Sequence, residues 1–282
     1  MVLKQLMERE SEGQPIRVGL VGAGRMGTGL VNQIFTIPGM AVVAIADIVE
    51  ERGLNAFTAN GLDRGEILVT GNPGPANDAI RRGKVVASAD ALLIPQLELD
   101  AVVEATGLPE VGARVAYETL LHRKHMVMLN VETDVVLGPL FRRMADAAGV
   151  IYTLAAGDQP GVVCEMAEWA MGLGFRIVAA GRGTLMAPPE RYATPDDNRA
   201  KAEQLGLNPK MFNSFRDGSK AQTESTAIAN ALGLPPEVRG THEPFARVQD
   251  LARLFRLKKD GGILSWEGVV EMANGVREDG TV

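Results

Sequence analysis

The sequence predicts an α/β fold: a doubly wound parallel sheet followed by a second domain that mixes helices and strands. Three observations predict it. Glycine is abundant, at 32 of 282 residues, while aromatics reach only 5%. Tight βα turns use glycine, whereas an all-β sandwich calls for more aromatic and β-branched residues. A strand–turn–helix–strand unit reads from Ile16 to Ile48. Apolar runs and helix-spaced segments then alternate from Leu99 to Ala155, the grammar of a parallel sheet covered on both faces.

Composition narrows the class. A length of 282 residues fits two domains of roughly 100–200 residues each. With 46% hydrophobic and 23% charged residues, the chain has the apolar content that a disordered one lacks. No run approaches ~18 consecutive apolar residues, so no membrane span and no membrane partner are expected. The formal charge is −6, from 35 acids and 29 bases, which disfavours nucleic acid as a partner. Cys164 is the single cysteine, which excludes an internal disulfide or a thiolate metal site and points to the cytoplasm.

The elements follow in order. Residues 1–14 read as a charged leader carrying Lys4, Glu8, Arg9, Glu10 and Glu12, without the apolar stretch of a signal peptide. Ile16–Val21 is a short apolar strand, and Gly22-Ala-Gly-Arg-Met-Gly27 follows it directly. Thr28–Ile37 has helical spacing through Leu30, Val31, Ile34 and Phe35, and Pro38-Gly39 stops it. Met40–Ile48 is a second strand. The stretch from Val49 to Ala89 is long for one connection and reads as an insertion with its own helices, one over Ala76–Gly83. Lys84–Ala87 reads as a strand and Asp90–Ile94 as a short helix. Strands at Leu99–Ala105, His125–Val131 and Val150–Ala155 then alternate with helices at Pro109–His122 and Leu137–Ala148. After Gly157 the pattern changes. A helix over Pro160–Leu173 leads to a strand at Arg176–Gly181 and a loop holding Gly181-Arg-Gly183 and Met186-Ala-Pro-Pro189. Helices at Asp196–Leu205 and Ser219–Leu232 complete the reading. The boundary falls near residue 156, giving domains at 15–156 and 157–282.

The first candidate site is the glycine turn with Asp47. Gly22 permits the tight turn off the strand, Gly24 lets a pyrophosphate approach the backbone, and Gly27 lets helix and strand pack closely. The backbone of Gly22, Ala23, Gly24, Arg25, Met26 and Gly27 would hold that phosphate at a helix N-terminus. Asp47 follows Gly27 by about 20 residues, at the end of the second strand, where a carboxylate accepts the adenosine ribose hydroxyls. This is a dinucleotide-binding, Rossmann-type pattern. Asp47 favours NAD over NADP because it repels a 2′-phosphate, and Arg52 weakens that preference.

The ends of the later strands are the second site. Ligands bind there in open parallel sheets. Ala105, Thr106 and Gly107, with Asn130, are expected near the cofactor, and Glu132 and Asp158 near the substrate. Glu104 is a charge within an apolar strand, either satisfied by partners or close to the site. Asp158 also suits an N-cap before Pro160. The third site is Asp217-Gly-Ser-Lys220 with Glu224. Ser219 and Gln222 fit a capping box, so a helix should start at Lys220. A lysine there opposes the helix dipole and stands in the less favourable order relative to Glu224. Chemistry explains it better: Lys220 would polarise a carbonyl or exchange its proton, oriented by Asp217 or Glu224. Arg182 and Ser219 are candidate substrate contacts. Asp158, Glu132 and Glu224 are the carboxylates that would hold a divalent ion if one is used. His122 and His125 read as surface, His242 as a loop residue, Cys164, Met126 and Met128 as core.

These segments together resemble the homoserine-dehydrogenase-like NAD(P)-dependent oxidoreductases, and more closely their deoxyxylulose-phosphate-reductoisomerase-like branch. The resemblance lies in Gly19-Leu-Val-Gly-Ala-Gly-Arg-Met-Gly27, Glu104-Ala-Thr-Gly-Leu-Pro-Glu-Val-Gly112 and Met128-Leu-Asn-Val-Glu132. It extends through Gly157-Asp-Gln-Pro160, Ala193-Thr-Pro-Asp-Asp197 and Asp217-Gly-Ser-Lys220. It implies a Rossmann domain, then a catalytic and dimer-forming α/β domain, then a β-rich SAF-like domain. The characterised activity of the branch is NADPH-dependent rearrangement and reduction of 1-deoxy-D-xylulose 5-phosphate to 2-C-methyl-D-erythritol 4-phosphate. Two features depart from the branch. Asp47 stands where it has no acid, and the chain stops at Val282, about where the SAF-like part is expected, as in a shorter relative or a truncated chain.

The expected activity is therefore hydride transfer between a nicotinamide cofactor and a small, polar, anionic hydroxy or keto substrate, a sugar phosphate in the reductoisomerase version, in a homodimer. A simple dehydrogenase of the homoserine type is the alternative within the class. A non-catalytic dinucleotide sensor is the alternative outside it.

Overall fold

The apolar run Ile16–Val21 becomes the central strand of the first of two compact units, Met1–Ala155 and Ala156–Val282, in the computed structural model, which describes residues 2–184 and 190–276. The first unit begins with α1 (Val2–Ser11), which buries no residue. Then come β1 (Ile16–Val21), α2 (Arg25–Ile34), β2 (Met40–Ala46), α3 (Glu50–Thr58), β3 (Ile67–Val69), α4 (Pro73–Arg81) and β4 (Val85–Ser88). β5 (Ala101–Glu104), α5 (Pro109–Leu121), β6 (His125–Met128), α6 (Val131–Ala148) and β7 (Tyr152–Leu154) complete it.

The seven strands form one sheet in the order β3-β4-β2-β1-β5-β6-β7, and every pair is parallel. Both faces are buried, as parallel pairing with helical crossovers requires. Neighbouring residues of one strand enter opposite cores: Val102 packs on one face and Val103 on the other, and Ala44 and Ile45 divide in the same way. Met126 and Met128 are core residues.

Three local readings change. The segment from Val49 to Ala89 is no insertion, because α3, β3, α4 and β4 continue the winding and extend the sheet past β2. β3 has only three residues, too few for a periodic signal. α2 starts at Arg25 rather than Thr28, so the glycine motif itself supplies the first helical turn. α6 starts at Val131 rather than Leu137, because the Asn130 side chain accepts the Thr133 N–H at 3.2 Å and caps it.

The second unit contains α7 (Gln159–Gly172), β8 (Ala179–Thr184), α8 (Arg199–Gln204), α9 (Pro209–Arg216) and α10 (Ser219–Leu232). β9 (Phe245–Ala246), α11 (Leu251–Leu254) and β10 (Val269–Gly275) follow. Its described strands pair in the order β8-β10-β9, again in parallel. α10 packs on α7 and on the sheet. The strand expected at Arg176–Gly181 lies further on, at Ala179–Thr184, so Arg182 belongs to a strand and not to a loop. Gly181 makes that pairing possible: a Cβ there would lie 1.6 Å from the Glu271 carbonyl oxygen. α8 is shorter than expected because Asp197 closes a turn on Thr194, accepting its N–H and its hydroxyl at 2.7 Å each. The expected loop residues Met186 to Pro189 lie outside the described residues. Among the described residues, no helix is long and apolar enough to cross a membrane.

Candidate functional site

The glycine turn joins β1 to α2 where the sheet order places β2 on one side of β1 and β5 on the other. Gly22 has φ +97°, and a Cβ on it would meet the backbone of Ala105 and Thr106 at 2.8 Å. Gly27 packs even closer, since its Cβ would lie 1.9 Å from the Gly22 carbonyl oxygen. Gly24 is different in kind: its Cβ would meet nothing within 4 Å. Space is therefore open over Gly24, and the backbone N–H groups of Gly24, Arg25, Met26 and Gly27 have no partner among the described residues. Four donors at a helix N-terminus beside an open glycine fit the pyrophosphate of a dinucleotide.

Asp47 follows β2, but its carboxylate turns inward. Oδ2 accepts the Ala23 N–H at 2.9 Å and Oδ1 accepts the Val49 N–H at 2.8 Å. Only 8% of the side chain is exposed, whereas Arg52, with Nη1 3.5 Å from Oδ1, is 57% exposed. Asp47 thus ties the glycine turn to β2, and lone pairs remaining on its oxygens are what a ribose hydroxyl can use.

At the end of β5, Glu104 is fully buried. Its Oε1 accepts the Thr106 N–H at 2.9 Å and the Thr106 hydroxyl. Burial pushes its carboxyl above the ordinary value, more strongly than the Thr106 donors lower it, and the field of Glu132 adds to the rise. Asn130 is 1% exposed, and its side-chain oxygen caps α6. Glu132 is half-buried in the first turn of the same helix.

In the second unit, Glu224 is shared by two cations. Arg182 Nη1 contacts Oε2, and Lys220 Nζ lies 4.0 Å from Oε1. All three are withdrawn from solvent, with Arg182 12% and Lys220 13% exposed. Burial lowers the Arg182 pKa, opposed by the field of Asp158. Asp158 caps α7, accepting the Gln159 N–H at 2.8 Å.

The capping box at Ser219 does not form. Asp217 Oδ1 accepts the Ser219 N–H at 2.8 Å first, and Gln222 turns away to the Gly240 carbonyl at 2.8 Å. Asp217 Oδ2 also accepts from the buried Asn213 at 2.9 Å, so Asp217 braces the turn into α10. Ser219 is exposed beside Lys220.

His242 is more than a loop residue. Its backbone N–H and its Nδ1 engage the two oxygens of buried Glu271 at 3.0 and 2.6 Å. The flanking Thr241 and Glu243 take left-handed φ angles of +65° and +47° without being glycine. The sequence carries no local sign of this pairing. A cavity of about 840 Å³ runs along β8 and α11, lined by Arg176, Val178, Leu251, Phe255 and Glu271, and neither Lys220 nor Glu224 lines it. Among the described residues, no group of three or more His, Cys, Asp or Glu stands where it could hold a metal ion. Of the carboxylates considered for one, Glu132 belongs to the first unit, and Asp158 and Glu224 to the second.

Residues 157–281 match the family model of the oxidoreductase DRL, catalytic domain. No curated protein matches the chain. Among solved structures, the 1-deoxy-D-xylulose 5-phosphate reductoisomerase from Zymomonas mobilis, in complex with NADPH, is similar at 15% identity and a TM-score of 0.51, over 79% of this chain and 59% of that one. The homoserine dehydrogenase from Thiobacillus denitrificans is similar at 21% identity and a TM-score of 0.47, over 78% and 50%. The WlbA dehydrogenase from Bordetella pertussis, in complex with NADH and UDP-GlcNAcA, is similar at 20% identity and a TM-score of 0.44, over 63% and 49%. The chain spans roughly half the length of these proteins. The reductoisomerase likeness shows the fold, a Rossmann-type parallel sheet in the first unit.

Proposed function

We propose that the protein is a nicotinamide-dinucleotide-dependent oxidoreductase acting on a small, polar, anionic hydroxy or keto compound, with a sugar phosphate as the leading class. The observation that carries this is the open Gly24 beside four unpartnered amides at the start of α2, in a chain whose residues 157–281 match an oxidoreductase catalytic domain.

When bound, the dinucleotide supplies or accepts hydride. The chain's own residues do the rest. The α2 amides hold the pyrophosphate. Asp47 offers its remaining lone pairs to the adenosine ribose, and its charge disfavours a 2′-phosphate, so NAD is preferred over NADP. Lys220 gives a proton to the substrate oxygen when a carbonyl is reduced and takes it back when an alcohol is oxidised. Glu224 keeps the ammonium in place, and Arg182 adds the positive charge that an anionic substrate needs. A cytoplasmic homodimer completes this reading, resting on the lone Cys164 and on the family resemblance.

The test has two stages. NADH and NADPH are titrated by nicotinamide fluorescence, then dinucleotide consumption is followed with a panel of aldehydes, ketones, hydroxy acids and sugar phosphates. The reading expects binding of NADH and turnover of at least one anionic compound. Binding without any turnover would support a dinucleotide sensor instead.

A further inference from the structure

β5 ends in a carboxyl group with no exposure at all. Glu104 occupies its last position, directly beside β1 in the sheet. A buried carboxyl is costly unless its oxygens are bonded, and here only one of them is. Oε1 takes both donors of Thr106, while Oε2 has no hydrogen-bond partner within bonding geometry among the described residues. Thr106 Oγ1 in turn accepts the Leu108 N–H at 3.1 Å, and Gly107 between them has φ +67°. One buried side chain therefore dictates the path of the Thr106–Gly107 turn.

That turn faces the glycine loop. Gly22 needs its missing Cβ because the backbone of Ala105 and Thr106 would lie 2.8 Å from it. The turn's side-chain polarity is fully used, since the Thr106 hydroxyl is engaged by Glu104 and Leu108. What remains is backbone, and the Gly107 N–H has no partner among the described residues. From behind, Glu104 is packed tightly. A Cβ on Gly112 would lie 2.5 Å from Thr133 Oγ1, 2.9 Å from Asn130 Nδ2 and 3.1 Å from Glu104 Oε2.

We propose that Glu104 is a positioning residue for the nicotinamide end of the dinucleotide: it holds the Thr106–Gly107 turn so that the turn's backbone groups meet the carboxamide. The inference rests on the dinucleotide reading above. Its geometric basis is the sheet order. Asp47 and the adenosine end belong to the β2 side of β1, the pyrophosphate to the α2 amides, and β5 lies on the other side of β1. A dinucleotide with its phosphates over the glycine turn places its far end over β5. A carboxamide carries one acceptor and two donors, and a turn with a free N–H and free carbonyls can match both.

The experiment compares NADH with ADP-ribose, which lacks the nicotinamide, on the full chain and on Glu104→Gln, Glu104→Leu and Thr106→Val. Glu104→Gln keeps an oxygen for both Thr106 donors, Glu104→Leu removes it, and Thr106→Val removes the hydroxyl link. ADP-ribose should bind all four proteins alike. NADH affinity should hold in Glu104→Gln and fall about 10-fold in Glu104→Leu, the effect of one or two hydrogen bonds, with Thr106→Val weakened in the same direction. Equal losses for NADH and ADP-ribose in Glu104→Leu, or no loss for either, would overturn the proposal. If Glu104→Leu fails to fold by circular dichroism, Thr106→Val decides: unchanged NADH affinity relative to ADP-ribose overturns it. Failure of the wild-type chain to bind ADP-ribose is a separate result. It removes the dinucleotide reading itself, and this inference with it.

Discussion

Asp47 Oδ2 accepts the backbone N–H of Ala23 at 2.9 Å, so the acid that follows β2 is bonded to the turn that follows β1. One side chain thereby shapes the phosphate loop and marks the adenosine end. Asp47→Ala should weaken NADH binding about 10-fold or more, because it loses both the loop tie and the ribose acceptor. Arg52→Ala should weaken NADPH more than NADH, since its exposed guanidinium is the cation available to a 2′-phosphate. Fluorescence titration of both variants with both dinucleotides checks this. Tighter NADPH than NADH binding by the wild-type chain would contradict the role given to Asp47.

Two glycines of the turn should respond in opposite ways. A methyl at position 27 would meet the Gly22 carbonyl oxygen at 1.9 Å, and one at position 24 would meet open space. Gly27→Ala should therefore cost about 2 kcal/mol or more of stability, by overpacking against backbone. Gly24→Ala should leave the melting temperature unchanged and reduce dinucleotide affinity, because the methyl fills the path of the phosphate. Thermal melts paired with NADH titrations separate the two.

The first unit was legible because its signals are local. The β1 run, the three glycines and Asp47 follow one another at spacings set by a single βαβ unit. β3 leaves no signal in the sequence because three residues carry no period, so α3 to β4 read as an insertion. In the second unit the decisive relationships are long-range. Arg182 looked like a loop residue between two glycines, and its partner Glu224 is 42 positions away. His242 and Glu271 are 29 apart, and nothing near either announces the other. Asn130 shows the limit from the other side: a polar residue at a strand end reads alike as a ligand contact or a helix cap, and the cap on Thr133 shows only in the structure.

The His242–Glu271 pair should matter for stability. Glu271 is 2% exposed and both its oxygens are engaged by His242. His242→Ala leaves the carboxylate with a single backbone donor, a loss of about 1–3 kcal/mol. It also frees a loop that runs through two left-handed non-glycine residues. Urea unfolding should show the loss. A change within about 0.5 kcal/mol, as for an ordinary surface position, would contradict it.

Asp134 gives a pH signature. Burial raises its carboxyl above the ordinary 3.8, against the Tyr152 hydroxyl that donates to it at 2.9 Å. A carboxyl with a raised folded value supports the fold in its protonated form. Its contribution is complete below the unfolded value and is lost as the pH climbs through the folded one. Asp134→Asn stays neutral and keeps an acceptor for Tyr152. The variant should therefore gain stability relative to the wild type as the pH rises above the ordinary carboxylate value. A stability difference that is flat with pH, or that runs the other way, would contradict the assignment.

In the proposed reaction the chain binds a nicotinamide dinucleotide and Lys220 moves a proton at the substrate oxygen. The most direct measurement is dinucleotide consumption by the wild type and by Lys220→Ala on the best substrate of the panel, with NADH affinity measured on both. Turnover should fall by about 100-fold or more, as for loss of a general acid–base, while NADH affinity changes little. Equal turnover by the two proteins would contradict it.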